Sequence, residues 1–157
     1  MSQLKTHQHY DAVIIGAGIV GLTIAYCIAS REKRVAIVDA GQAGQGTSNN
    51  TFAWINASTK LSDQAYHDLN ARGVRGYREL AKRWGEREIG VHFSGLLQWG
   101  NHPENADLIK NDVQKLMSWG YPTLWMEKSA LQAMEPHVMF SDNSFCTSFL
   151  MRSAFSG

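Results

Sequence analysis

Cysteine is scarce in this chain of 157 residues. There are two, Cys27 and Cys146, far apart and in no CxxC or Cys/His spacing. That excludes a disulfide framework and gives no zinc pattern, and two unpaired thiols fit a reducing cytoplasm. The six histidines (His7, His9, His67, His92, His102 and His137) show no metal-ligand spacing either. Charge of one sign is also missing. A net charge of +1 supplies no electrostatic reason to expect nucleic acid or an acidic surface as partner. Repeats and low-complexity linkers are absent, which leaves ordinary globular composition: 44% hydrophobic and 18% charged, at a length of one domain or one and a half.

What stands out is a run without charge. AVIIGAGIVGLTIAYCIAS, Ala12 to Ser30, is 19 residues long. Its length approaches the roughly 20 residues of a spanning helix. A secretion signal needs a basic start, but MSQLKTHQHYD offers one lysine, Lys5, and ends in Asp11. The glycines Gly16, Gly18 and Gly21 are clustered instead of spread. The run reads better as a strand over Ala12 to Ile15, buried on both faces as in a parallel sheet, then the turn GAGIVG. A helix follows over LTIAYCIASREK, and RVAIVDA (Arg34 to Ala40) is a second buried strand. Strand, glycine turn, helix and strand form a βαβ unit.

Within such a unit Gly16 permits the tight turn, Gly18 lets a pyrophosphate approach the backbone, and Gly21 lets helix and strand pack closely. The helix amino terminus presents N–H groups and a positive dipole end to the phosphates. Asp39, 18 residues beyond Gly21 at the end of the second strand, is placed to accept hydrogen bonds from ribose hydroxyls. A carboxylate there with no adjacent arginine favours FAD or NAD over NADP. The next segment, AGQAGQGTSNNTFAWIN (Ala40 to Asn56), reads as a loop. Its Thr47, Ser48, Asn49 and Asn50 offer hydroxyl and amide groups to a pyrophosphate or a flavin edge, whereas a plain NAD domain would proceed to another helix and strand.

DAVIIGAGIVGLTIAYCIA, VAIVDAG and GQGTSNNTFAWIN together resemble the amino-terminal part of the FAD-dependent amine and amino-acid oxidoreductases. That group contains D-amino-acid oxidase, D-amino-acid dehydrogenase, glycine oxidase and sarcosine oxidase. GYRELAKRWGEREIGVHFSGLLQWG (Gly76 to Gly100) and ALQAMEP (Ala130 to Pro136) support the resemblance, which spans about Tyr10 to Val138. It implies that Gly16, Gly18, Ile19, Gly21 and Asp39 hold the ADP part of FAD, and that Thr47 and Ser48 lie near the pyrophosphate or flavin. The group more often carries glutamate at the ribose position and small residues where this chain has Asn50, Thr51 and Phe52. It also implies a chain more than twice as long, whose later half holds the substrate carboxylate. No catalytic residue is therefore named here. The implied reaction is hydride transfer from the α-carbon of an amine or amino acid to the flavin.

The expected fold class is α/β: a Rossmann-like FAD-binding βαβ unit, then the start of an α+β substrate-covering lobe, in a truncated chain. The expected segments are a flexible amino terminus over 1–9, the βαβ unit and flavin loop over 10–60, a helical and strand region over 61–142 and an atypical tail over 143–157. In the third segment Asp63 to Trp84 reads as a helix, with Ala65, Leu69, Tyr77, Leu80, Ala81 and Trp84 inward and Gly73 and Gly76 weakening or kinking it. VHFSGLLQW reads as a half-buried strand with Val91, Phe93, Gly95, Leu97 and Trp99 on one face. Pro103 opens a helix to about Trp119, with Ile109, Val113, Leu116 and Met117 inward, ended by Gly120 and Pro122. TLWM is a short strand, and Ser129 with Gln132 forms a capping box for a helix stopping before Pro136.

His92 reads as a solvent-facing strand residue, the tryptophans as core apart from Trp54 near the flavin loop, and Arg72, Arg75, Arg78, Lys82 and Arg83 as a solvated face. The tail NSFCTSFLMRSAFSG (Asn143 to Gly157) lacks a period, and its change of character predicts a truncated or shifted frame near Asn143. Three readings follow: an amino-terminal oxidoreductase fragment or remnant, an FAD-binding subunit completed by a second chain, and an NAD-dependent dehydrogenase.

Overall fold

The computed structural model describes residues 8–100, 102–140 and 145–150. The chain divides into two compact units, one ending at Trp54 and the other beginning at Ile55.

The first unit is the βαβ element. Strand β1 (Ala12–Ile15) and strand β2 (Val35–Val38) pair in parallel, Ala12 opposite Val35 and Ile15 opposite Val38, and helix α1 (Ile19–Ala29) connects them. Asp11 closes the open end of the pair: its carboxylate accepts the Arg34 N–H at 2.8 Å, and its own N–H donates to the Arg34 carbonyl. The helix begins three residues before the expected Leu22, because extended Gly18 is already its N-cap. It also ends before SREK. Ser30 caps it, and Glu32 takes a left-handed conformation (φ 60°) that no helix can continue through. The expectation of strands buried on both faces does not hold. Val13 is 59% exposed and Ile15 90%, since among the described residues the sheet has two strands, without the neighbouring strands and second helix layer that bury a parallel sheet.

The second unit holds a three-stranded antiparallel sheet in the order β3 (Leu97–Gly100), β5 (Phe145–Leu150), β4 (Thr123–Met126). Helices α2 (Gln64–Trp84), α3 (Pro103–Ser118) and α4 (Lys128–Met134) complete it, with α3 packed on the sheet. Ala57, Ala71, Val74, Leu116 and Tyr121 form its core, with Ile55 and Leu61 packed against them.

Helix α2 runs unbroken through Gly73 and Gly76, whose Cα positions face open space. Its buried face is His67, Ala71 and Val74, not Ala65 and Leu69, which are exposed. The apolar pattern misplaces the face because a histidine sits at its centre. His67 is 1% exposed; its Nδ1 lies 3.1 Å from the Ala57 carbonyl, and the rings of Trp119 and Tyr121 flank it at 5.0 and 4.7 Å. Arg78 likewise leaves the expected solvated face: it is half-buried, its guanidinium 4.6 Å from the centre of the Phe93 ring. The strand expected from Val91 shortens to Leu97–Gly100, because Gly95 at φ 87° interrupts the extended backbone. Ser129 does not open α4 with a capping box. The helix starts at Lys128 behind Glu127, and Gln132 instead donates from the other end, to the carbonyls of Glu135 and Val138.

Helix ends are well specified elsewhere. Past α3, Gly120 at φ 70° lets its N–H reach the Met117 carbonyl and that of Tyr121 reach Leu116, a paired closure over the helix's last carbonyls. Ile109, Val113 and Leu116 are buried as expected, but Met117 is exposed. Asp63 caps α2, its carboxylate accepting the Tyr66 N–H at 2.8 Å. Asp63→Ala is therefore expected to cost about 1 kcal/mol, read as a lowered urea midpoint with an unchanged m-value.

Candidate dinucleotide site

The glycine turn sits where β1 ends and α1 begins. Gly16 takes φ 105°, a conformation open to glycine, and its N–H donates to the Val38 carbonyl across the strand pair at 2.8 Å. Gly21 lies in the first turn of α1. A Cβ there would overlap the Gly16 carbonyl oxygen and come within 3.3 Å of Ile14 Cγ2, so only glycine allows helix and turn to pack. A Cβ at Gly18 would sit 3.1 Å from Ser48 Oγ. Each glycine thus has a separate steric reason, in a turn whose backbone a ligand can approach.

Asp39 follows β2 directly. One carboxylate oxygen accepts the Ala17 N–H at 2.7 Å and the other the Gly41 N–H at 2.8 Å. The hydrogen bond from Ala17, then that from Gly41, holds its carboxyl below the usual carboxylate range; desolvation opposes them, and Ala40 adds a lesser lowering. The carboxylate therefore stays charged beside the turn. It still has lone pairs for a ribose hydroxyl, since a carboxylate accepts about four hydrogen bonds.

The loop beyond Asp39 closes back on the turn. The Gly44 N–H donates to the Ala17 carbonyl at 2.8 Å, and Ile19 N–H donates to Ser48 Oγ at 3.0 Å. Ser48 and Thr47 belong to a short 3-10 turn, Thr47–Asn49; Ser48 is half-buried and Thr47 exposed. Gly16, Gly18, Ile19, Gly21, Asp39 and Ser48 are brought together, and Thr47 borders them. Gly41 and Gly44 also contribute backbone N–H groups; the sequence places both in the glycine-rich loop without marking them as donors. Their only signal is the spacing of glycines in AGQAGQG. Trp54 is exposed, as is His92, and among the described residues no group of three His, Cys, Asp or Glu side chains could hold a metal ion.

Residues 11–155 match the family described as FAD dependent oxidoreductase. The chain belongs to that family. FAD is the family's cofactor, which settles the choice against the nicotinamide alternative left open by the glycine turn alone. The glycine oxidase of Geobacillus kaustophilus is 30% identical over 138 residues, covering 85% of this chain and 36% of that protein. The glycine oxidase of Bacillus subtilis is 32% identical over 149 residues, 91% of this chain and 38% of that one. In solved structures the Geobacillus kaustophilus glycine oxidase superposes with TM-score 0.71 at 25% identity, covering 90% of this chain and 39% of that one. The L-proline dehydrogenase of P. horikoshii shares the fold, with TM-score 0.71 at 23% identity over 91% of this chain and 37% of that one. This chain thus spans little more than a third of the length of these relatives.

The family match runs past Val138, where the resemblance was expected to end, and past Asn143. Within that stretch Phe145–Leu150 forms the central strand of the second unit's sheet. A change of frame near Asn143 is therefore not supported. Asn143, Ser144 and residues 151–157 of the expected tail lie outside the described residues, as do residues 1–7 of the expected flexible amino terminus. Among the described residues no helix is long and apolar enough to cross a membrane, so the uncharged run at Ala12–Ser30 is divided between a strand, a turn and an 11-residue helix.

Proposed function

We propose that the first unit holds the ADP portion of FAD in an amino-acid or amine oxidoreductase, and that this chain is that enzyme's amino-terminal cofactor portion. The observation that carries the reading is the glycine turn braced by Asp39, with side-chain-free approach at Gly18. Gly16, Gly18, Ile19 and Gly21 would border the pyrophosphate, Asp39 would accept from the ribose, and Thr47 and Ser48 would lie on the loop side of the diphosphate. Bound FAD supplies two-electron oxidation of a C–H bond next to nitrogen; the chain's own residues bind and orient it. An amino acid is the favoured substrate class because the relatives are named glycine oxidases. The exposed thiol of Cys27 favours a reducing cytoplasm as the compartment.

A spectrum of the purified chain after incubation with FAD and desalting tests the reading. Retained absorbance at about 370 and 450 nm, typical of oxidised flavin, is expected. A colourless protein that instead retains NAD would overturn it.

A second reading rests on the bare apolar surface of the first unit, where Ile15, Val20 and Val38 are exposed on consecutive elements. Such a surface suits a subunit completed by another polypeptide carrying the remaining part of the family fold. An adjacent reading frame encoding that part, with a product that co-purifies on co-expression and restores amino-acid oxidation, would establish it.

A further inference from the structure

Gly18 is the N-cap of helix α1 and offers no side chain to cap it. The dinucleotide reading requires glycine at that position, so the unit meets a conflict: the residue best placed to satisfy the helix's first N–H groups is the one that has to stay bare. The structure supplies the missing hydroxyl from elsewhere. Ser48 Oγ accepts the Ile19 N–H at 3.0 Å from 29 residues along the chain. Its own placement is braced twice: the Asn49 N–H and the Asn50 side-chain amide both donate to the Gly46 carbonyl at 3.1 Å, and Gly44 N–H fastens the loop to the Ala17 carbonyl.

We propose that Ser48 is a positioning residue, a through-space cap that holds the first turn of α1 in place of the side chain Gly18 cannot carry. This goes beyond contact with the diphosphate and rests on the dinucleotide reading only for why Gly18 is bare. The partition of donors follows. Ala17 N–H is taken by Asp39 and Ile19 N–H by Ser48. Gly18, Val20 and Gly21 N–H have no backbone or side-chain acceptor among the described residues, and are left to face an anion. Ser48 would then shape the phosphate site by fixing where those three donors point, and it would couple the order of the 41–49 loop to that of the helix.

Amide hydrogen exchange on the full chain without added flavin separates this role from direct ligation. Ser48→Ala is expected to speed exchange at Ile19, Leu22 and Thr23 by about fivefold, a cap's worth. Ser48→Thr, which keeps the hydroxyl, is expected to restore most of the protection. Amides of α3 in the second unit serve as the internal reference for folding. The decisive variant is the double substitution Gly18→Ser with Ser48→Ala. Gly18 is extended (φ −78°, ψ 179°), a conformation open to a capping serine, and removing the Ser48 hydroxyl clears the one atom its Cβ would crowd. Protection of Leu22 and Thr23 is expected to return in this variant, while FAD retention falls at least tenfold because the new side chain stands in the phosphate's path.

Unchanged exchange in Ser48→Ala, or no rescue by the local cap, would overturn the proposal, as would a parent chain whose α1 amides exchange at unfolded rates. If exchange responds as expected while even the parent chain retains no flavin, the capping role stands and the dinucleotide reading fails.

Discussion

Gly21→Ala is expected to abolish FAD retention and to loosen the first unit. The added methyl group would occupy the space of the Gly16 carbonyl oxygen and press on Ile14 Cγ2. Neither neighbour can yield cheaply. The Gly16 carbonyl belongs to a turn pinned on both sides, by Gly16 N–H on Val38 and by Ala17 N–H on Asp39. Relief therefore means moving α1 away from β1, and overpacking of this kind costs about 1–3 kcal/mol. In a two-stranded unit with a single covering helix that is a large share of the stability. The helix shift would also carry the first-turn N–H groups away from the proposed diphosphate position. Flavin fluorescence titration should show affinity lower by at least a hundredfold, with weakened far-UV helix signal. A variant that binds FAD like the parent would show that the close approach of α1 to the turn is not needed for the site. Gly73→Ala is the matched control. It lies in α2, where a methyl group meets nothing within 4 Å, so it should leave flavin binding intact and stabilise its helix by up to about 1 kcal/mol.

Asp39→Asn is the second large effect. Both carboxylate oxygens accept backbone N–H groups, from Ala17 and from Gly41. An asparagine can accept with its carbonyl oxygen only, and its amide would point two hydrogens at the other N–H donor. One tether is lost and replaced by donor–donor repulsion, and in the proposed site the ribose would lose its charged acceptor. FAD affinity is expected to fall about 10- to 100-fold.

The pH dependence has a definite sign. The backbone donors lower the folded carboxyl's pKa below its ordinary value of 3.8. A depressed carboxyl binds fewer protons folded than unfolded, so its stabilising contribution is full above the ordinary value and is lost as pH falls through the folded one. Acid titration of the parent chain below about pH 4 should release this brace, whereas Asp39→Asn should show a smaller acid-dependent change in the same window. Equal acid sensitivity in the two proteins would mean that the Asp39 tethers contribute nothing to the turn.

Much of the nucleotide unit is legible in residue order alone. Ala12–Ile15, the glycine turn, the helix after it and Val35–Val38 each carry a local signal: a β-branched apolar run, clustered glycines, or an acid at the end of the second strand. Helix boundaries are less legible. The start of α1 depends on Gly18 being extended and its end on Glu32 turning left-handed, and neither angle is written in residue type. The roles of Gly41 and Gly44 also depend on where the loop folds back.

Local chemistry by itself determined the order of strand, glycine turn and helix, the need for glycine at Gly16 and Gly21, and the glycine closure after α3. These are short-range steric and hydrogen-bonding demands, met by residues within a few positions of one another. Only the tertiary structure decided that Asp39 spends its oxygens on Ala17 and Gly41, that Ser48 reaches Ile19, that buried His67 centres the inner face of α2, and that the unpatterned Phe145–Leu150 is a central strand. Each of those depends on partners distant in sequence, brought near by chain closure, and no local pattern encodes which distant group will arrive. A strand with neighbours on both edges draws its order from the strands beside it, so its own periodicity can be weak.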